Sequence, residues 1–265
     1  EYSDLWLEAN KTQTNEVMFA LQHSSKHKIA SNYGKSYYPS DYAPNAGWSD
    51  YYGDEDFFLS YPEDARKDWN YMTEWPVKSG KKDTDGKDIL KTIPYTESAD
   101  KLPAISKYYN YDEGDPGKSA QANGITCIYR YAEVLLEYVE ALNRVTGTVT
   151  VTTPAMTGTD VEVTVSRDIQ EMAKYFNMIR YRVGLPGPAL GDFNEVERFE
   201  QIIRNERQVE LFNEGYRYFD TRRWGTFLTD DANMSNWRGL DVQKDRTDVS
   251  GNPGFWNIVT IDQQN

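Results

Sequence analysis

Two carboxylates one helical turn apart, Glu206 and Glu210, are the first residues whose type and spacing could do chemistry. Paired carboxylates are what glycoside hydrolysis needs, about 5 Å apart for retention or about 6.5–9.5 Å for inversion. Their neighbours argue against it. Arg204 and Arg207 are interleaved with them, and Arg217, Asp220, Arg222 and Arg223 follow. Carboxylates held by guanidinium groups ionise at low pH and make poor general acids. The stretch therefore reads as a structural ion-pair network rather than catalytic equipment. Asp112, Glu113 and Asp115 are loop acids with no base or nucleophile set beside them. Their Gly/Asp/Pro loop, 112–124, lacks the spacing and terminal Glu of an EF-hand. His23 and His27 lie four apart in a Ser/Lys loop with no third ligand nearby, so no metal or other cofactor is expected.

The second available chemistry is ring stacking. Tyr, Phe and Trp make up 14% of the chain, and residues 33–75 hold 13 aromatics in 43 positions, about twice the average density. They are interleaved with Gly, Pro, Asn, Ser and Asp and follow neither helical nor strand period, unlike a core segment. Rings carried on irregular loops are candidates for ligand contact. Sugar rings stack their C–H faces on Trp and Tyr, and their hydroxyls need short polar side chains. Trp48, Tyr51 and Tyr52, with Asn45 and Asp50 beside them, meet that description. Trp69, Tyr71 and Trp75, with Asn70, form a second cluster. The alternative for each ring is packing of the loops onto a helical scaffold.

Charge narrows the partners. A net charge of −13 repels phosphate backbones and anionic lipid surfaces, which argues against nucleic acid and favours a neutral ligand or a protein. The one cysteine, Cys127, lies in an apolar run and reads as a small buried hydrophobe. No stretch approaches the roughly 20 apolar residues of a membrane helix. The opening residues, EYSDLWLEAN, have neither a basic region nor an apolar core, so a signal peptide is not expected there and the chain reads as a fragment.

The elements that must position these residues divide the chain. A short helix is expected at 3–10 and a strand at 16–23. Residues 33–124 read as loop-rich, with Phe57, Phe58 and Tyr61 as an apolar edge, an Asp64–Arg66 ion pair, an Asp85-Gly86 hairpin turn and a strand at 105–111. From Ile128 the spacing turns helical, with Tyr131, Val134, Leu135, Tyr138, Val139 and Leu142 as one stripe ended by Gly147. The Thr/Val-rich 146–165 reads as an inserted β-hairpin broken at 154–158. Ser166 is expected to cap the next helix, with Ile169, Met172, Ala173, Phe176 and Ile179 inward and Gly184 at its end. Asp192, with Glu195 three residues later, is expected to open the last long helix, which spans 194–213. The helices of 125–225 suggest helix-turn-helix pairs packed side by side.

Three segments carry a family resemblance. IYRYAEVLLEYVEALNRV, YFNMIRYRVGLP and IIRNERQVELFNEGYRYFDTRRWG resemble motifs of the SusD/RagB family of outer-membrane glycan-binding lipoproteins of Bacteroidetes, over roughly 16–225. The third motif is long and specific. The resemblance implies a mainly α fold, an α-α superhelix of TPR-like helix pairs, with a loop-rich region and short β-hairpins. On this reading residues 1–265 are one SusD-like domain fragment, with 33–124 binding ligand and 125–225 supplying the TPR-like helices. The resemblance also implies no catalysis, a lipid anchor at the cell surface, and transfer of oligosaccharide to a TonB-dependent porin of the SusC type for nutrient uptake. On this reading the chain is expected to lie outside the family's lipidated cysteine, first helix pairs and closing segment, so neither anchoring nor porin contact is expected of its residues. The alternatives are a TPR-like protein-interaction scaffold and, behind it, a glycoside hydrolase.

Overall fold

The computed structural model describes residues 2, 15–22, 36–44, 46–107, 125–156, 158–231, 238–240 and 258–260. The expected helix at 3–10, His23, His27, Asn45 and the loop 112–124 lie outside them. In chain order the elements are β1 (Val17–Gln22), α1 (Glu55–Ser60), α2 (Arg66–Asn70), β2 (Tyr71–Met72), β3 (Glu74–Lys82), β4 (Asp88–Pro94), β5 (Ala104–Ile105) and β6 (Ile125–Arg130). There follow α3 (Tyr131–Asn143), β7 (Thr148–Pro154), β8 (Asp160–Ser166), α4 (Ile169–Arg182), α5 (Val196–Glu210), α6 (Arg217–Arg223), α7 (Phe227–Asp230), β9 (Arg238–Leu240) and β10 (Ile258–Thr260). Every strand pairs antiparallel with one other, as β1–β6, β2–β5, β3–β4, β7–β8 and β9–β10. The fold is mainly helical with short hairpins.

The helical core lies among α3, α4 and α5. Leu135, Leu136, Val139 and Leu142 of α3 pack with Met172, Phe176 and Ile179 of α4 and with Phe199 and Ile203 of α5. The apolar spacing of α4 predicts this packing residue by residue. For α3 it does so only in part. Leu135, Val139 and Leu142 are buried, whereas Tyr131 and Tyr138 of the same expected stripe are 41% and 40% exposed. Amphipathic rings tolerate the solvent side, so the stripe covers two faces. The helix also begins later than its pattern, because β6 stays paired with β1 as far as Arg130.

Helix starts were the least legible feature. Ser166 is not the cap of α4: it ends β8, paired with Thr148, and Asp168 accepts from the Gln170 and Glu171 amides instead. Nor does Asp192 open α5. It closes a 3-10 turn at Leu190–Phe193 by accepting from the Ala189 amide at 2.9 Å, and α5 starts after Glu195. At the other end of α4, Gly184 takes φ 75°, a conformation that suits a glycine. The 146–165 hairpin forms as expected from β7 and β8, and the β3–β4 hairpin turns with Gly86 at φ 78°. The strand expected at 105–111 is two residues, Ala104–Ile105, in its described part.

Residues 36–107 are less loop-like than their composition suggests. Tyr38, Tyr42, Trp75, Val77, Ile93 and Ala104 form a second buried cluster. Phe58, Tyr61, Tyr71 and Val209 form a third, which joins this half to the end of α5.

Candidate functional site

Glu206 and Glu210 are both buried, and neither is placed to reach a substrate. Glu206 accepts from Arg66 at 2.6 Å and from Arg180 at 2.8 Å. Glu210 accepts from Arg66 at 2.7 Å, from Arg130 at 2.6 Å and from Arg182. Burial alone would raise the Glu210 carboxyl, but Arg130, Arg182 and Arg66 outweigh it and hold it well below the usual carboxylate range. The network continues through Glu214, which takes Arg130 at 2.7 Å and Lys107 at 2.6 Å, and through Glu16, which faces Arg130 and Arg182. Asp64 pairs with Arg66 at 2.5 Å, as expected from the sequence. Five carboxylates (Glu16, Asp64, Glu206, Glu210, Glu214) thus meet five cations (Arg66, Lys107, Arg130, Arg180, Arg182).

A structural network is therefore present, but with different partners. The interleaved arginines are spoken for elsewhere: Arg204 pairs with Glu200, and Arg207 and Arg223 hold Asp220. Residues one position apart on a helix point about 100° apart, so Arg207 faces α6 while Glu206 faces Arg66. Arg223 and Trp224 also bind Glu140 of α3, at 2.5 and 2.8 Å. These bonds clamp the turn after α5 onto the helical core.

The exposed rings lie in a different place. The loop 46–53 runs alongside 36–39: the Gly47, Ser49 and Asp50 amides donate to the carbonyls of Pro39, Tyr38 and Ser36 at 2.9, 3.1 and 2.9 Å. Gly47 is required, because a Cβ there would lie 2.0 Å from the Tyr38 carbonyl oxygen. Ser49 turns the chain at φ 55°, and its hydroxyl donates to Asp100 at 3.2 Å, where Ser40 also donates at 3.1 Å. Pinned in this way, Trp48 and Tyr51 stand out at 51% and 56% exposed. The Tyr37 ring lies 5.2 Å from that of Tyr51 and supports it from the paired segment. Asp50, which lies between Trp48 and Tyr51 in sequence, is also exposed. Tyr52 turns inward to bridge with Ala104, and burial followed by Asp100 raises its phenol so that it stays neutral.

The second aromatic cluster resolves differently. Trp75 and Tyr71 are 1% and 2% exposed and offer no free ring face. Trp75 alternates inward on β3 opposite Ile93 and donates its Nε1–H to Asp41 at 2.7 Å. Tyr71 packs among Phe58, Tyr61 and Phe212, and Asn70 is buried with its amide on the Tyr61 hydroxyl. Trp69 alone of that group is partly exposed. Sequence reasoning did not single out Tyr37 or Asp100, since each gains its role from a pairing between distant segments. Among the described residues no group of three or more His, Cys, Asp or Glu could hold a metal ion.

Residues 8–253, 246 of 265, match the model of the SusD family. The chain belongs to the SusD family. SusD-like protein P2 of Formosa agariphila is 32% identical over 136 residues, which are 49% of this chain and 23% of that protein. Two solved structures share the fold: a SusD superfamily protein from Bacteroides fragilis (TM-score 0.51, 19% identity) and surface glycan-binding protein A from Bacteroides fluxus (TM-score 0.54, 21% identity). The likeness covers 84% and 85% of this chain and 43% of each of those structures, so the chain spans less than half the length of these relatives. The three segments that carry the resemblance fall on α3, on α4, and on α5 through the turn at Trp224, where the core and the charge network are built.

Proposed function

We propose that this chain is part of a non-catalytic, cell-surface glycan-binding protein that captures oligosaccharide and passes it to a SusC-like TonB-dependent porin. The protein would be held at the outer membrane by a lipid. The observation that carries the reading is the pinned loop 46–53, which presents Trp48 and Tyr51 with Asp50 between them in a chain of this family. Two ring faces can take the C–H faces of a sugar, and the carboxylate can accept from its hydroxyls. Trp69 and the edge of Tyr52 are secondary candidates. Affinity electrophoresis in gels carrying single polysaccharides tests it: at least one glycan should retard the full-length protein, and Trp48→Ala should weaken the retardation about tenfold or more. Retardation by none, or the same retardation by the variant, contradicts the site.

A second reading has its own observation. Tyr131 and Tyr138 of α3 and Met178 and Tyr181 of α4 are exposed, and Tyr138 meets Tyr175 edge to face at 5.4 Å. An outward apolar stripe on a helix pair suits protein contact. A pull-down that retains a porin while no glycan binds would favour the scaffold reading.

A further inference from the structure

Resting on the glycan-binding reading, we infer that the Trp48–Tyr51 loop takes uncharged glycans and turns away sulfated or uronate-rich ones. Residues 36–65 contain seven acidic residues and not one Lys or Arg, and of the seven Asp64 is paired with Arg66 just beyond them. Three carboxylates belong to this loop or to the segments bonded to it. Asp50 separates Trp48 from Tyr51, Asp100 is fixed to Ser49 at 3.2 Å, and Asp41 follows Ser40, which binds the same Asp100 at 3.1 Å. Their donors are neutral: Asp100 takes two serine hydroxyls, and Asp41 takes the Trp75 indole and the Ala99 amide. Asp41, Asp50 and Asp100 form no ion pair among the described residues, so their charges are not cancelled locally.

The contrast with the interior is informative. Every carboxylate of the buried network has a guanidinium or ammonium partner, whereas the donors to Asp41 and Asp100 among the described residues are hydroxyls, an indole and an amide. Such carboxylates still accept hydrogen bonds from sugar hydroxyls, which suits a neutral polyol. A sulfate or carboxylate on the sugar meets like charge at close range, within a screening length of about 8 Å at physiological salt.

The test compares neutral polymers (amylopectin, xyloglucan and galactomannan) with polygalacturonate and carrageenan, using the full-length protein in affinity gels and titration calorimetry. Binding to at least one neutral polymer at least tenfold tighter than to either anionic one supports the inference. So does a residual anionic affinity that rises as salt goes from about 0.1 M to about 1 M, which shortens the screening length from about 10 Å to about 3 Å. Asp50→Lys should narrow the gap between the two classes while leaving the fold intact. An anionic polymer that binds as tightly as any neutral one, with loss on Trp48→Ala, overturns the inference and leaves the glycan-binding site standing. If no polymer of either class binds, the reading beneath it falls, and the inference with it.

Discussion

Glu210 receives three guanidinium groups on one carboxylate while fully buried, and this balance governs what any change there does. Removing one partner of a buried ion pair leaves uncompensated charge and costs about 3–5 kcal/mol. Glu210→Gln should therefore lower stability by about that amount in urea unfolding, with glycan binding retained where the variant is folded. The pH dependence has a definite sign. Burial opposes ionisation of Glu210 and Glu214, but their cations hold both folded carboxyls below the ordinary value. The stability they contribute is present above about pH 4.5 and is lost as the pH falls below it toward the folded values. The urea midpoint of the wild type should drop on acidification through that range, and that of Glu210→Gln should drop less. The residue types of this network were legible and its wiring was not. A run of Arg and Glu announces ion pairs, but Arg66, Arg130, Arg180 and Arg182 reach Glu206 and Glu210 only through tertiary packing.

At the scale of elements, the hairpin of β7 and β8 stands apart from the core. All of β7 and all of β8 except Val165 are exposed, and Val165 is the contact with the helical cluster. At the base, Arg167 donates to the Asn143 side chain at 2.7 Å and to the Phe193 carbonyl, while Asn143 donates to the Val196 carbonyl at 2.9 Å. The base is thus structural and the ribbon beyond it is not. Replacing Val151–Val163 with Asn-Gly, closed by the Thr150–Thr164 pair, should change stability by about 1 kcal/mol or less and leave glycan affinity unchanged. A loss of several kcal/mol in chemical denaturation would show that the ribbon packs on more than Val165. The hairpin, the α4 face and the Gly184 stop could be read directly, because each is set by local period or by a φ that suits glycine. Helix starts could not. Asp168 and Ser166 are both good caps by type, and only the length of β8 decides between them.

At the scale of the whole molecule, the buried network around Glu210 pairs its charges, whereas among the described residues Asp41, Asp50 and Asp100 form no ion pair. On the proposed reading, that division separates scaffold from site. The long α5 and the turn to Trp224 hold the helices, while 46–53 carries Trp48 and Tyr51. Composition points to 33–75 as the aromatic region but cannot sort its rings into buried and exposed. Trp48 and Trp75 look alike in sequence, and only the strand alternation of β3 sends Trp75 inward while the Gly47–Ser49 turn sends Trp48 out. The most direct test of this division is amide hydrogen exchange with and without a saturating glycan that retards the protein in gels. Slowed exchange confined to 46–53 and its paired segment 36–39, with α5 unchanged, is the predicted result. Protection that appears elsewhere and leaves 46–53 unaltered would contradict it.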